Sequence, residues 1–400
     1  MKKVRLSAMM FIEFFIWGAW YVTVANYMVA IGMTKYIYWA FTVGPIAAIV
    51  SPFFLGMVAD RYFPTERVLG VMHIIGGIAM FLAPFFASSP VLFILFLGFH
   101  MLCYQPTIGL VNTLAFHNID DAENEFPIIR MFGTIGWIVA GIFVSGILAA
   151  DKTAIPLKVA GIAGVVMGLY SFTLPHTPPP AKGKKASFRQ IAGIDALKQL
   201  SSRSFNVFII SSLLICIPLA AYYSYAQTFL QAAGFPKPGF SLSFGQMAEV
   251  VFIVLLPFFF RRLGIKWTLF VGMLAWVTRY ALFALGAPTG VVWLIMIGII
   301  LHGICYDFFF VAGQIYVDET ATPEIRGQAQ GFIVLITYGI GMFIGAQVTG
   351  WLFNAIVTET GAAALPQYRL FWLIPAAFAG VVMIFFGFLF NGKRPREVQA

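Results

Sequence analysis

Twelve predominantly apolar stretches, each of 19 residues or more, follow one another along this chain with little polar sequence between them. A helix needs about 20 apolar residues to cross a bilayer, whereas membrane barrel strands show short alternating segments. The pattern therefore predicts a polytopic all-α membrane protein. Composition excludes the alternative of a soluble domain with an oversized core. Charged residues make up 10% and the mean hydropathy is +0.88, against roughly 25% charge in a soluble domain. Too little charge remains to cover a water-facing surface.

The predicted spans are 6–31, 37–59, 68–87, 91–116, 126–149, 154–174, 204–230, 243–261, 266–285, 290–316, 327–356 and 369–390. The first is too long for the apolar region of a cleavable signal and has no A-x-A site after it. The longest polar segment, 175–203, contains Pro178-Pro179-Pro180, Lys182, Lys184, Lys185 and Arg189. It divides the chain into bundles at 1–174 and 204–400. Cys103, Cys216 and Cys305 lie in apolar stretches and imply no disulfide framework. With the N-terminus, the central segment and the C-terminus on one side, that side holds 19 Lys and Arg and the other holds 5, with Arg279 inside a span. Positive charge concentrates on the cytoplasmic face. Both termini are therefore expected to be cytoplasmic, and the net charge of +9 reports topology rather than nucleic-acid binding.

The two halves carry repeats. Cys103-Tyr104-Gln105 returns as Cys305-Tyr306-Asp307, and Pro127, Ile129 and Arg130 return as Pro323, Ile325 and Arg326. Two six-helix repeats joined by a basic loop describe the major facilitator architecture. Gly56-Met57-Val58-Ala59-Asp60-Arg61, with Arg67 beyond, resembles that superfamily's loop motif, although Phe63 replaces its second glycine. Asp60 and Arg61 would form an ion-pair latch at a helix end; the alternative is a plain polar loop.

Ionisable groups are costly in hydrocarbon and are functional candidates there. Of sixteen carboxylates only Glu13, Glu249 and Asp307 fall inside spans. Glu249 lies three residues after Gln246, so both share a helical face. An amide and a carboxyl on one face can bind hydroxyls or a polar ring edge, and a desolvated carboxyl can load and release a proton. Asp307, beside Tyr306, is expected either to bind substrate or to form a gate pair with Arg130. Glu13 shares a face with Trp17 and Trp20, near enough to the cytoplasmic end to reach water. Arg130 opens the fifth span with Thr134 and Trp137 one and two turns on. Arg279 is read as structural, needing a carboxylate or carbonyl partner. His73, His100 and His302 are isolated in sequence and read as packed polar residues, with no metal site. Tyr222, Tyr223 and Tyr225 offer ring faces for stacking or for packing.

No P-loop, G-x-S-x-G or nucleotide fingerprint is present, so an ion or substrate gradient is expected to drive transport, without a cofactor and without enzyme chemistry. Isolated carboxyls suit protons better than sodium.

At these residues the chain resembles the bacterial nucleoside:proton symporters of the major facilitator superfamily along essentially its whole length. The resemblance is carried by Phe15-Ile16-Trp17-Gly18-Ala19-Trp20, by the stretches 106–113 and 126–136, and by Pro257-Phe258-Phe259, Asp307-Phe308-Phe309 and 325–331. It implies that a ribose and a base are held by Arg130, Thr134, Gln246, Glu249, Tyr306 and Asp307. Where the family has amides in the seventh span, anchoring on Gln227-Thr228-Phe229-Leu230 puts Ala220 and Tyr223, so base reading is altered. Glu13 replaces what is usually an uncharged amide. The expectation is a proton-coupled importer, monomeric, in the inner membrane. Its cargo is a nucleoside or a related small polar ring-bearing solute. A sugar or glycoside carrier of the same superfamily is the rival, and a non-transporting membrane receptor is disfavoured by the carboxyls on pore-lining helices.

Overall fold

The computed structural model describes residues 2–54, 62–179, 199–322 and 325–392, apart from the side chains of 52–54 and 122–123. Among these residues all regular secondary structure is helical. The latch candidates Asp60 and Arg61 lie outside the described residues, as does Pro323 of the second repeat.

The first span comprises Lys2–Tyr21 and Val24–Ala30. Ile37–Phe54, Thr65–Phe86, Pro90–His117, Asn124–Ile147 and Ile155–Ser171 supply the next five. Arg203–Ala232 is the seventh, Val292–Thr320 the tenth, Arg326–Ile356 the eleventh and Gly361–Leu389 the twelfth. Pro238–Gly286 supplies both the eighth and ninth. The loop expected between those two is reduced to a break at Gly264, where φ is 67° and ψ 174°, a backbone conformation open mainly to glycine. Among the described residues these segments make up twelve membrane-spanning helices, six in each half.

Helix backbones in lipid pack closest through small residues. A Cβ added to Gly77 of the third span would lie 2.7 Å from the Gly161 carbonyl oxygen of the sixth. Among the described residues three short π-helical segments occur: Ile142–Ile147 at the end of the fifth span, and Asp307–Val311 and Leu335–Gly341 inside the tenth and eleventh. Such segments leave local backbone groups to be satisfied otherwise and are frequent at functional sites.

The chain divides into two units, Met1–Ala186 with Lys237–Ser243, and Ser187–Pro236 with Phe244–Ala400. Hydrogen bonds explain why the short second-half segment joins the first unit. Buried Asp151 accepts from the Gly239 amide at 2.9 Å and from the Ser145 hydroxyl at 2.7 Å, and Lys237 Nζ donates to the Gly146 carbonyl at 2.5 Å. Burial pushes the Asp151 carboxyl above its ordinary range, against these hydrogen bonds, which favour the charged form.

Candidate functional site

In the first unit the fifth span carries Arg130 and, one turn on, Thr134, both half-buried. The Arg130 guanidinium lies 4.2 Å from the centre of the Phe14 ring on the first span. Gly133 makes room for that approach, because a Cβ there would lie 2.7 Å from the Phe14 ring and 2.8 Å from an Arg130 nitrogen. A cation over an aromatic face is held by the ring quadrupole, so Arg130 is kept at the first span. Trp17, one turn after Glu13, packs edge-on against Trp137 and Tyr104, with centroids 5.3 and 5.9 Å apart.

Glu13 corrects the sequence reading. It does not reach water: it is 0% exposed. Its Oε2 lies 2.7 Å from His73 Nε2 on the third span, and its Oε1 lies 2.7 Å from the Thr107 hydroxyl on the fourth. The Tyr104 hydroxyl donates to the Glu13 carbonyl at 2.7 Å. His73 is therefore not isolated. Sixty residues separate the pair in sequence, and only helix packing brings them together.

In the second unit Gln246 and Glu249 share a face of the eighth span. Gln246 is buried, with an amide oxygen that has no hydrogen-bond partner; Glu249 is half-buried. Gly303 of the tenth span sits against them, since a Cβ there would lie 2.7 Å from the Glu249 amide nitrogen and the Ala248 carbonyl oxygen. That contact brings the backbone bearing Glu249 up to the helix bearing Asp307. Asp307 opens the π-helical segment, is 0% exposed, and neither carboxyl oxygen has a hydrogen-bond partner. Buried polar groups are ordinarily satisfied, and this carboxyl departs from that rule.

His302 is the second group that sequence left isolated. It stacks on Tyr222 with centroids 5.2 Å apart, meets Tyr223 edge-on at 6.1 Å and lies 5.9 Å from Tyr306. Arg279 is fully buried; its guanidinium sits 3.4 Å over the Tyr222 ring and Nη1 lies 3.2 Å from His302 Nδ1. Arginine only donates, so His302 Nδ1 is the acceptor. Arg279 is thus supported by an aromatic face and an imidazole rather than by the expected carboxylate or carbonyls. Tyr223 and Tyr306 remain half-buried beside this cluster. Ala220 is fully buried and faces the eleventh span, where a Cβ on Gly345 would lie 2.8 Å from it. Of the two positions standing in for amides, Tyr223 is the one with exposed surface. Tyr225 is buried and stacked on Phe353 at 3.9 Å, which is packing. Among the described residues no group of three or more His, Cys, Asp or Glu could hold a metal ion.

Residues 1–395 match the model of the family described as Nucleoside H+ symporter. YegT of Escherichia coli K12 is 36% identical, over 99% of this chain and 95% of its own length. Nucleoside permease NupG of the same organism is 31% identical, over 98% of this chain and 97% of its own. Two crystal structures of the nucleoside transporter NupG superpose with TM-scores of 0.89 and 0.86, each at 29% identity over 98% of this chain and 99–100% of theirs.

Proposed function

This chain belongs to the nucleoside H+ symporter family, and from that premise we propose that it carries nucleosides, or a closely related small ring-bearing solute, inward together with protons. The observation that carries the reading at residue level is Asp307: a fully buried carboxyl with no hydrogen-bond partner. An ionised carboxylate left that way would be very costly. It must take up a proton or be met by a ligand, and a symporter requires both events in its cycle.

Arg130 and Thr134 in the first unit, and Tyr223, Gln246, Glu249, Tyr306 and Asp307 in the second, are assigned to the substrate. Gln246 offers an unfilled amide acceptor and Glu249 a carboxyl on the same face, a pairing suited to sugar hydroxyls. Tyr223 and Tyr306 offer ring faces for a base. Glu249 and Asp307 carry the coupling proton, because protonation there changes both charge and hydrogen-bonding character at the substrate contacts. The transporter works as a monomer in the bacterial inner membrane, with both termini cytoplasmic, and performs no catalysis.

Glu249→Gln tests the coupling. In vesicles it should lose uphill uptake driven by a pH gradient while still exchanging labelled for unlabelled nucleoside. Uphill accumulation at the wild-type level would refute the assignment. Absence of nucleoside binding by the purified wild type, alongside binding of sugars, would redirect the substrate to a pyranose.

A further inference from the structure

One hydroxyl in the first unit faces more acceptors than it has protons. Thr107 Oγ1 lies 2.7 Å from Glu13 Oε1 and 2.5 Å from the Tyr104 carbonyl oxygen. A carbonyl only accepts, an ionised carboxylate only accepts, and a threonine hydroxyl has one hydrogen. If Glu13 is ionised, Thr107 can turn its hydrogen to Oε1, and His73 Nε2 donates to Oε2. If Glu13 Oε1 carries a proton, it donates to Thr107, Thr107 turns its hydrogen to the Tyr104 carbonyl, and the His73 bond is unchanged. Rotation of a single hydroxyl satisfies both states, with every heavy atom in place. A purely structural ion pair has no use for the second arrangement.

We propose that Glu13, with His73 and Thr107, is a proton-binding site of the first unit, separate from the carboxyls of the second, and that its proton is a further coupling ion. The step is balanced: one proton adds to Glu13 Oε1 and leaves from it, and no other group changes its proton count. The coupling half of the proposal rests on the symport reading; the binding half does not.

The surroundings frame the site without replacing it. Glu13 and His73 are 0% and 3% exposed. From the fourth span His100 stacks on Tyr104 at 5.5 Å and is committed through Nδ1 to the Gly76 carbonyl at 2.9 Å. Cys103 is buried on the same span. From the fifth span come Arg130, over Phe14, and Glu125, which pairs with Lys3 at 2.8 Å. From the sixth comes Tyr170, whose hydroxyl donates to the Arg5 carbonyl. At the start of the third span Glu66 binds His176. Arg130 lies over the ring of Phe14, the residue next to Glu13 in the chain, so substrate contact at Arg130 is placed to be felt at Glu13.

Glu13→Gln is the natural test, since the glutamine amide donates to Thr107 and accepts from His73, fixing the loaded pattern. Two measurements are made on purified protein. In vesicles with the membrane potential clamped, each coupled proton raises the limiting accumulation about tenfold per pH unit of gradient. The slope should fall by one proton in Glu13→Gln, with counterflow exchange in the same vesicles confirming active protein. Infrared titration in detergent should show a protonated-carboxyl band in the wild type that Glu13→Gln lacks. An unchanged slope together with an unchanged carboxyl spectrum would overturn the proposal. A wild type with no slope at all would refute symport instead, and the spectrum would still decide proton binding at Glu13. Should Glu13→Gln fail to fold, Thr107→Val removes the relay and should shift the band's midpoint; an unmoved midpoint overturns the proposal.

Discussion

Replacing Gly303 by alanine probes the contact that positions the second-unit site. The added methyl would lie 2.6 Å from the Ala248 carbonyl carbon and 2.7 Å from its oxygen and from the Glu249 nitrogen. All three are backbone atoms, so no side chain can swing away and the eighth and tenth spans must part. Overpacking of this kind costs about 1–3 kcal/mol, and the better helix propensity of alanine returns up to about 1 kcal/mol. A net loss of about 1–2 kcal/mol is expected, which corresponds to roughly 2–8 °C in unfolding temperature for a bundle of this size. Gly109→Ala and Gly331→Ala are the controls, because a methyl at either would meet nothing within 4 Å. Thermal unfolding in detergent should rank Gly303→Ala below both. Nucleoside affinity, read by calorimetry, should weaken only in Gly303→Ala, because the backbone bearing Glu249 moves relative to Asp307. Equal unfolding temperatures and equal affinities in the three variants would refute the argument.

Tyr223→Asn should change the ranking among nucleosides more than the maximal rate in competition uptake; a uniform loss would mean that Tyr223 packs rather than reads the base. Tyr222→Leu removes the face under Arg279 and should cost about 2 kcal/mol by thermal unfolding, the worth of a desolvated cation–π contact. Asp151 gives a pH signature. Its folded pKa is raised above the ordinary 3.8 by burial, so the native state binds its proton more tightly, and stability should fall as pH rises from the unfolded value through the folded one. Asp151→Asn keeps an acceptor for the Gly239 amide, while its amide nitrogen donates to the Ser145 oxygen in place of accepting from it, and it should flatten that part of the unfolding-temperature profile; an unchanged slope would mean the group does not titrate there.

The membrane class, the number of spans and the two-half organisation were legible in the order of residues, where Arg130, Gln246, Glu249 and Asp307 also stood out as candidates. Their signals are local: a run of apolar side chains, a charge bias in loops, a carboxyl inside a span. The break at Gly264 was less legible, because the polar stretch at 261–266 reads as a loop whether or not the helices continue almost to the glycine. Helical spacing also placed Gln246 and Glu249 on one face correctly.

What no local signal could supply was who stands opposite whom. Glu13 read as a residue near water, and His73 and His302 read as solitary, because their partners lie 60 and 23 residues away in the chain. In hydrocarbon a polar group must be satisfied within the protein, so its meaning is set by the helix packed against it. That packing follows glycines and ring shapes distributed over several spans. The sequence alone therefore determined that this chain crosses the membrane as helices and which of its residues are too costly to be there by accident. Only the tertiary structure decided which of those charges are met by a partner, as at Glu13 and Arg279, and which are left open, as at Asp307. The cost of a buried charge depends on distances between helices, and no helix encodes its neighbour's position by itself.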